Sequence, residues 1–310
     1  ESSPTFAGDT GALEEGARMR LGFVGLGNMG GPMAANLLKA GHELVVFDVS
    51  AAAQRRAVEA GADGVDGPRA VAEAADMVMT SLPTPAVVES VYLGSDGLVE
   101  GGRAGQLLVD LSSITPSLAR MLADRCAERG AIFLDAPVSG GTTGAAAGTL
   151  AIMVGGDAAA FQRAEPVLKA LGDRVFHVGP VGTGSTVKIL NQLLMGVNSM
   201  AVLEMLSLAR RSGIDLALVR EVVSASSGFS RAFQFRFPKA VERDFTPGFA
   251  IELMAKDLRL GRDMAKELGA QLPVASLVLS MYEQASQLGL GQLDVTAAIA
   301  LYEGTGPADG

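Results

Sequence analysis

The chain has 310 residues, 48% hydrophobic and 19% charged, enough for two domains of ordinary size with a large core. Its formal net charge of -9 argues against nucleic acid or an anionic membrane as the main partner, since both want a basic surface. The single cysteine, Cys126, excludes an internal disulfide framework and suits a reducing cytoplasm, and no apolar run reads as long enough for a membrane span.

Residues 1–18 are acidic, small and Gly-containing, and lack the apolar h-region of a signal peptide. They read as a disordered leader or an expression remnant, with Met19 as the candidate natural start. An apolar run over 21–24 then predicts a short buried strand, and Gly25-Leu26-Gly27-Asn28-Met29-Gly30 follows at once, fitting G-x-G-x-x-G. A helix comes next, with Met33, Ala34, Leu37 and Leu38 on one side and Gly41 at its end; a second strand over 44–47 closes on Asp48. Strand, glycine turn, helix, strand and acid together form the context of a dinucleotide site. Gly25 permits the tight turn, Gly27 leaves room for a pyrophosphate and Gly30 lets the helix pack close to the strands. Free amides at the helix start face the phosphates. Asp48 accepts from the adenosine ribose hydroxyls and repels a 2′-phosphate, which favours NAD; Arg55 and Arg56 nearby keep NADP open.

Short helices over 51–60 and 71–75 lead to a strand over 77–82, broken by Pro83-Thr84-Pro85. A helix over 86–92, a strand over 107–111, a polar turn from Ser112 to Pro116, a helix over 118–129 and a strand over 132–134 ending at Asp135 follow. Strands over 149–154 and 174–178 flank a helix over 158–171. The alternation predicts a doubly wound, Rossmann-like parallel sheet covered on both faces, with ligands past the carboxyl ends of the strands. The glycine turn, Leu82-Pro83, Ser112-Ser113 and the stretch after Asp135 all fall at such ends and converge on one crevice.

Near Gly182 the pattern changes. One long helix over 185–211 precedes helices over 216–226, 231–243, 250–268, 274–287 and 295–302, with no strand. The chain therefore divides into a dinucleotide-binding domain over 19–182, an all-α domain over 183–303 and a loose tail over 304–310. The long helix is apolar on more than one face, so it crosses the molecule or enters a subunit interface.

In a dinucleotide enzyme the cofactor carries the hydride, and the protein places the substrate and moves one proton. His42 follows a helix end, where it caps carbonyls, and His177 sits in an apolar strand as a structural residue. No Cys/His cluster suits zinc, and no Gly-x-Ser-x-Gly elbow is present. Lys188 is the better candidate. With Ser185 as N-cap it falls in the first turn of the long helix, where the dipole and partial burial lower its pKa toward general acid–base work. Asn191 and Gln192 share its face and are placed to orient the amine or a substrate hydroxyl. The competing reading is a solvated lysine on an amphipathic helix. After Asp135, the run Ala136-Pro137-Val138-Ser139-Gly140-Gly141-Thr142-Thr143-Gly144 reads either as a plain Gly-rich loop or as an anion nest, with Ser139 and the amides of Gly140 and Gly141 on a substrate carboxylate.

These pieces resemble the β-hydroxyacid dehydrogenase family, the group of 3-hydroxyisobutyrate dehydrogenase and tartronate semialdehyde reductase, over nearly the whole chain. The residues carrying the resemblance are G-L-G-N-M-G with Met33, Ala34, Asn36 and Leu37; Gly41-His42; Leu82-Pro83; Val109-Asp110-Leu111-Ser112-Ser113; D-A-P-V-S-G-G; Gly184 with Lys188 and Asn191; and Lys256-Asp257-Leu258. The resemblance implies Lys188 as the catalytic lysine and Ser139, Gly140 and Gly141 as the carboxylate site. It places Ser113 near the nicotinamide, Leu82-Pro83 along the cofactor and Lys256 reaching the cofactor from the helical domain. It also implies a homodimer or homotetramer through that domain. Many relatives carry Asn four residues after the lysine; here Gln192 stands there and Asn191 at three. Arg231 and Arg236 read either as contacts to a second anionic group or as surface charge beside buried phenylalanines.

The expected activity is NAD-dependent interconversion of a small 3-hydroxy acid and its semialdehyde. The alternatives are an NADPH-dependent glyoxylate or succinic semialdehyde reductase, an imine reductase, and a non-enzymatic cofactor-binding scaffold. Lys188 argues against the last two and Asp48 against the first.

Overall fold

The computed structural model describes residues 19–304. The expected leader, 1–18, and the tail beyond Gly304 lie outside the described residues. The strands are β1 (Arg20–Val24), β2 (Glu43–Phe47), β3 (Asp63–Gly64), β4 (Met77–Thr80), β5 (Leu107–Asp110), β6 (Ile132–Asp135), β7 (Val138–Ser139), β8 (Ala151–Gly155) and β9 (Arg174–Gly179). They form one sheet in the order β3-β2-β1-β4-β5-β6-β8-β7, with β9 on β8. From β3 to β6 all pairings are parallel. β8 runs antiparallel to β6 and β7, and β9 parallel to β8. The doubly wound, Rossmann-like parallel sheet expected from the sequence is thus present, with an antiparallel addition at this end. A parallel partner needs a crossover back to the amino ends of the strands, whereas β7 carries the chain on past the end of β6 and β8 starts beside Ser139, so it runs back along the sheet.

Helices α1 (Gly30–Lys39), α2 (Ala51–Glu59), α3 (Pro68–Ala74), α4 (Pro85–Leu93), α5 (Leu98–Gly101), α6 (Pro116–Ala127), α7 (Gly141–Ala147) and α8 (Ala158–Leu168) cover the sheet. The four-residue α5 and the two-residue, exposed β3 carry too little periodicity to be read from sequence. Proline opens α3, α4 and α6, where its missing N–H costs nothing, and Thr84 and Thr115 cap the latter two. Two apolar cores lie on the sheet. One gathers Leu21, Phe23, Met33 and Leu37, the other Val78, Tyr92, Leu98 and Phe133. Strands buried on both faces explain the unbroken apolar runs.

The helical part holds α9 (Thr183–Ser212), α10 (Leu216–Ser224), α11 (Arg231–Val241), α12 (Ile251–Glu267), α13 (Pro273–Ala285) and, after a π turn and a 3-10 turn, α14 (Ala300–Glu303). Its core gathers Leu203, Leu206, Phe233, Phe237, Met254, Leu258 and Tyr282. At 30 residues α9 is long and apolar enough to cross a membrane by length and composition, which corrects the expectation that no run reaches that length. Half of its most apolar window is buried inside the molecule, against the helical core.

Candidate active site

The glycine turn is built as its sequence requires. Gly25 has φ +92°, and a Cβ there would lie 2.4 Å from the Ser81 carbonyl oxygen; a Cβ on Gly30 would lie 1.8 Å from that of Gly25. A Cβ on Gly27 would meet nothing within 4 Å, so that side of the turn is open. No side chain caps the start of α1 at Met29; the Gly31 amide donates to the Gly27 carbonyl at 2.9 Å. Asn28 lies exposed on the same turn and Leu26 is buried beneath it. Asp48, at the end of β2, accepts from the Leu26 amide at 2.6 Å with Oδ2 and from the Ser50 amide at 2.7 Å with Oδ1. It therefore staples the turn as well as facing a groove of about 590 Å³ that Val49, Arg55, Val58 and Val65 also line. An acid with apolar walls beside an open glycine turn fits the adenosine end of a dinucleotide.

The next strand ends carry a buried polar row. Thr80, Asp110 and Asp135 are register partners across β4, β5 and β6, and each is 0% exposed. Asp110 Oδ1 accepts from Thr80 Oγ1 and Ser112 Oγ, both at 2.6 Å, and Ser112 Oγ in turn accepts the Leu82 amide at 2.9 Å. The turns carrying Leu82-Pro83 and Ser112-Ser113 are thereby tied together; Ser113 sits half-buried in the second. Burial pushes the Asp110 carboxyl up to about 6, its hydrogen bonds oppose the rise and neighbouring Asp135 adds to it. Its Oδ2 has no hydrogen-bond partner among the described residues.

Lys188 lies in α9 with 6% exposure. The helix begins earlier than expected. Its N-cap is Gly182, so Lys188 is the sixth residue rather than the third, and Ser185 is not the cap. Its pKa is lowered to about 8 by burial, not chiefly by the dipole; Asp257 opposes the shift and Lys256 reinforces it. Among the described residues no carboxylate lies within ion-pair distance of its ammonium and no hydrogen bond engages it. With 6% exposure, Lys188 is not the freely solvated surface lysine of the competing reading. Asn191 and Gln192 do not touch the amine in this state. Asn191 Nδ2 donates to Gln192 Oε1 at 3.0 Å, and Gln192 Nε2 donates to Asp257 Oδ2 at 2.5 Å. Lys256 pairs with Asp257 at 3.2 Å and donates to the Pro83 carbonyl at 3.4 Å, which joins the helical part to the Leu82-Pro83 turn.

The Gly-rich stretch is not a plain loop. Ser139 ends β7, and Gly140 (φ +144°) and Gly141 (φ +64°) turn the chain into α7 with no side-chain cap. A Cβ on Gly141 would sit 3.6 Å from the Gly248 carbonyl oxygen, so a segment of the helical part closes over the turn. That segment is held by Asp294, which accepts from the Gly248 and Phe249 amides at 3.0 Å each and pairs with Arg236 at 3.1 Å. Arg236 is thus committed to a structural pair, and Arg231 lies over the Phe235 ring at 5.3 Å. Neither histidine joins the site. Backbone amides of Gly41 and His42, not the imidazole, reach the α1 carbonyls, and His177 stacks on Phe161 at the exposed edge strand β9.

Unlike Asp48, the acids Asp110, Asp135 and Asp257 are not read as site residues from the sequence. For Asp257 a signal existed: it shares a helical stripe with Met254, Leu258 and Gly261, so it faces inward.

Comparison with known proteins agrees with this geometry. Residues 20–179 match the family model described as the NAD binding domain of 6-phosphogluconate dehydrogenase, and residues 182–302 that described as NAD-binding of NADP-dependent 3-hydroxyisobutyrate dehydrogenase. The chain is 42% identical over 294 residues to 3-hydroxyisobutyrate dehydrogenase of Pseudomonas aeruginosa, covering 92% of this chain and 98% of that one. It is 41% identical over 286 residues to 2-(hydroxymethyl)glutarate dehydrogenase of Eubacterium barkeri, covering 92% and 95%. The solved structure of Mycobacterium tuberculosis 3-hydroxyisobutyrate dehydrogenase with L-serine matches with a TM-score of 0.85 at 35% identity, over 91% of this chain and 98% of that one. With both halves matched and the identities sustained over nearly the full length, the chain belongs to the β-hydroxyacid dehydrogenase family of NAD(P)-dependent oxidoreductases acting on CH–OH groups.

Proposed function

We propose that this enzyme uses NAD to interconvert a small 3-hydroxy acid and its semialdehyde, with Lys188 as general acid–base. The observation that carries the reading is the unpaired ammonium of Lys188, on a side chain only 6% exposed and held at about 8. A group titrating there is available in both forms near neutral to mildly alkaline pH. In the oxidising direction the neutral amine takes the hydroxyl proton; in the reducing direction the ammonium returns it. Bound NAD supplies the hydride acceptor. Ser139 and the amides of Gly140 and Gly141 hold the substrate carboxylate, which fixes the carbinol carbon for transfer. Asn191 and Gln192 shape the polar wall next to Lys188 through Asp257. Gly25, Leu26, Gly27, Asn28, Met29 and Gly30 cradle the pyrophosphate, Asp48 the ribose, and Leu82, Pro83, Ser113 and Lys256 the nicotinamide half.

The functional division runs near Gly182, with a cofactor domain before it and a substrate and assembly domain after it. Leu194 (65% exposed) and Leu208 (69% exposed) on α9 leave an apolar face that a second copy covers in a homodimer or homotetramer. We place the enzyme in a reducing cytoplasm, as its lone buried thiol, Cys126, allows.

The test follows NADH formation with 3-hydroxyisobutyrate, L-serine and 2-(hydroxymethyl)glutarate, beside Lys188→Ala. One substrate should turn over, and the variant should lose about 10²–10⁴-fold in kcat while still binding NADH. Full activity in the variant would remove Lys188 from the chemistry. Arg55, in the groove with Asp48, favours a second reading as an NADPH-dependent semialdehyde reductase. Faster oxidation of NADPH than of NADH with glyoxylate or succinic semialdehyde would put that reading first.

A further inference from the structure

Helix α9 carries Lys188 yet has no cap of its own. Gly182 holds the N-cap position at φ +89° and offers no side chain. The first amides of a helix lack internal acceptors, and burying them unpaired is costly. The acceptor comes from another element. Asp135, at the end of β6, accepts the Gly182 amide at 2.8 Å with Oδ1, and the Ser185 amide and hydroxyl at 2.7 and 2.8 Å with Oδ2. Two glycines allow this approach. A Cβ on Gly155 would lie 2.5 Å from Asp135 Oδ1, and one on Gly184 would lie 2.3 Å from the Met153 carbonyl oxygen and 2.6 Å from that of Asp135.

A serine or aspartate at position 182 could not cap the helix locally: at φ +89° a side chain there is strained, and its Cβ would meet the Pro116 carbonyl oxygen at 3.1 Å. Among the described residues no cation lies within ion-pair distance of Asp135. Burial therefore pushes its carboxyl above the usual range, although bonds from Gly182 and Ser185 pull the other way. What the long-range cap achieves, and a local one does not, is to fix α9 against the sheet. Ser139 follows Asp135 by four residues, and Lys188 follows Ser185 by one helical turn, on the same buried side.

We propose that Asp135 is a positioning residue: its carboxylate is the shared anchor that sets Lys188 against the Ser139–Gly141 carboxylate turn. The proposal rests on the reading of Lys188 as general acid–base. The charged groups around the amine are Asp257 and Lys256 from α12, and Asp110 stands beside Asp135 on β5. None of them changes when the anchor is cut. Loosening α9 instead lets water reach the amine, so its titration rises from about 8 toward the ordinary lysine value.

The experiment uses the full chain with NADH bound and its lysines reductively methylated with ¹³C. The Lys188 resonance is the one missing from Lys188→Ala. Ser185→Ala removes one of the three bonds to Asp135 and keeps both backbone bonds, so it leaves the fold intact; Asp135→Asn replaces one acceptor oxygen with a donor. In Ser185→Ala the Lys188 titration should move up by ~0.5 or more, and kcat for 3-hydroxyisobutyrate should fall about 3–10-fold, the range of one net hydrogen bond. NADH affinity should stay within about twofold. Asp135→Asn should show the same pattern, larger. An unmoved Lys188 titration in Ser185→Ala overturns the proposal, whatever happens to the melting temperature, and leaves Asp135 as a helix cap. If Lys188→Ala itself keeps full activity, the acid–base reading fails and the positioning role goes with it. If Lys188→Ala is inactive and only the titration in Ser185→Ala is unmoved, the positioning role alone falls.

Discussion

Two regions of this molecule bury a carboxylate against backbone amides, and they settle its charge in opposite ways. In the helical part, Asp294 accepts from the Gly248, Phe249 and Thr296 amides and pairs with the Arg236 guanidinium. Burial works against it, but Arg236 and the donated bonds outweigh burial and hold its carboxyl below the usual range. At the strand ends, Asp110 and Asp135 lie side by side without a cation, and burial holds both above the usual range. The one cation nearby on α9, Lys188, is itself buried and unpaired. The helical knot is built for stability, whereas the strand ends keep acids and a lysine unpaired, an arrangement that costs stability and recurs where groups must titrate.

The largest effects separate the two regions. Lys188→Ala should lower kcat by about 10²–10⁴-fold with no loss of stability. Asp294→Ala should do the reverse in kind. It leaves the half-buried Arg236 without its partner and frees the Gly248 segment, so urea unfolding should show a loss of about 3–5 kcal/mol. A loss under ~1 kcal/mol would make the knot peripheral and undo the contrast.

A smaller effect tests the cost of the unpaired lysine. The folded chain holds Lys188 at about 8, below the ordinary 10.5. Between those values the unfolded chain binds a proton that the folded chain does not, so stability from this group rises with pH across the window. Below about 8 the full penalty applies, on the order of 3 kcal/mol. Lys188→Met should therefore be about 1–3 kcal/mol more stable at pH 7, and its advantage should shrink as pH climbs past 8. An advantage that does not change with pH would mean that packing, not charge, separates the two proteins.

The glycine turn was legible because Gly25 and Gly30 perform backbone tasks that only glycine can. Gly25 takes φ +92°, and Gly30 meets the Gly25 carbonyl oxygen where a Cβ would stand. Helix α9 was legible in existence but not in its start. Ser185 has the residue type and spacing of a local cap, yet its hydroxyl donates to Asp135, fifty residues away. Local chemistry cannot announce a partner that the sheet delivers. The same holds for Arg236, which from sequence is a free cation beside phenylalanines and in the fold belongs to Asp294, 58 residues on. β8 reversed direction for a related reason: strand polarity depends on where the connection leads, not on the apolar run itself.

Asp48 supplies the smallest and most discriminating test, because it is a third carboxylate that gathers amides, this time at an open groove. Both of its oxygens are engaged, one by Leu26 and one by Ser50. In Asp48→Asn the charge that repels a 2′-phosphate disappears, and one of those two amides faces an NH₂ group instead of an acceptor. Two consequences follow. NADP should be accepted better, and NAD should bind more weakly because the glycine turn loses a staple. The ratio of kcat/KM for NAD over NADP should fall about 10-fold, equal to about 1.4 kcal/mol, with a rise in the KM for NAD contributing to it. If only the NADP side moves, Asp48 acts on the ribose and the turn stands without it. If only the NAD side moves, the staple matters more than the charge, and cofactor choice passes to Arg55, which lines the same groove.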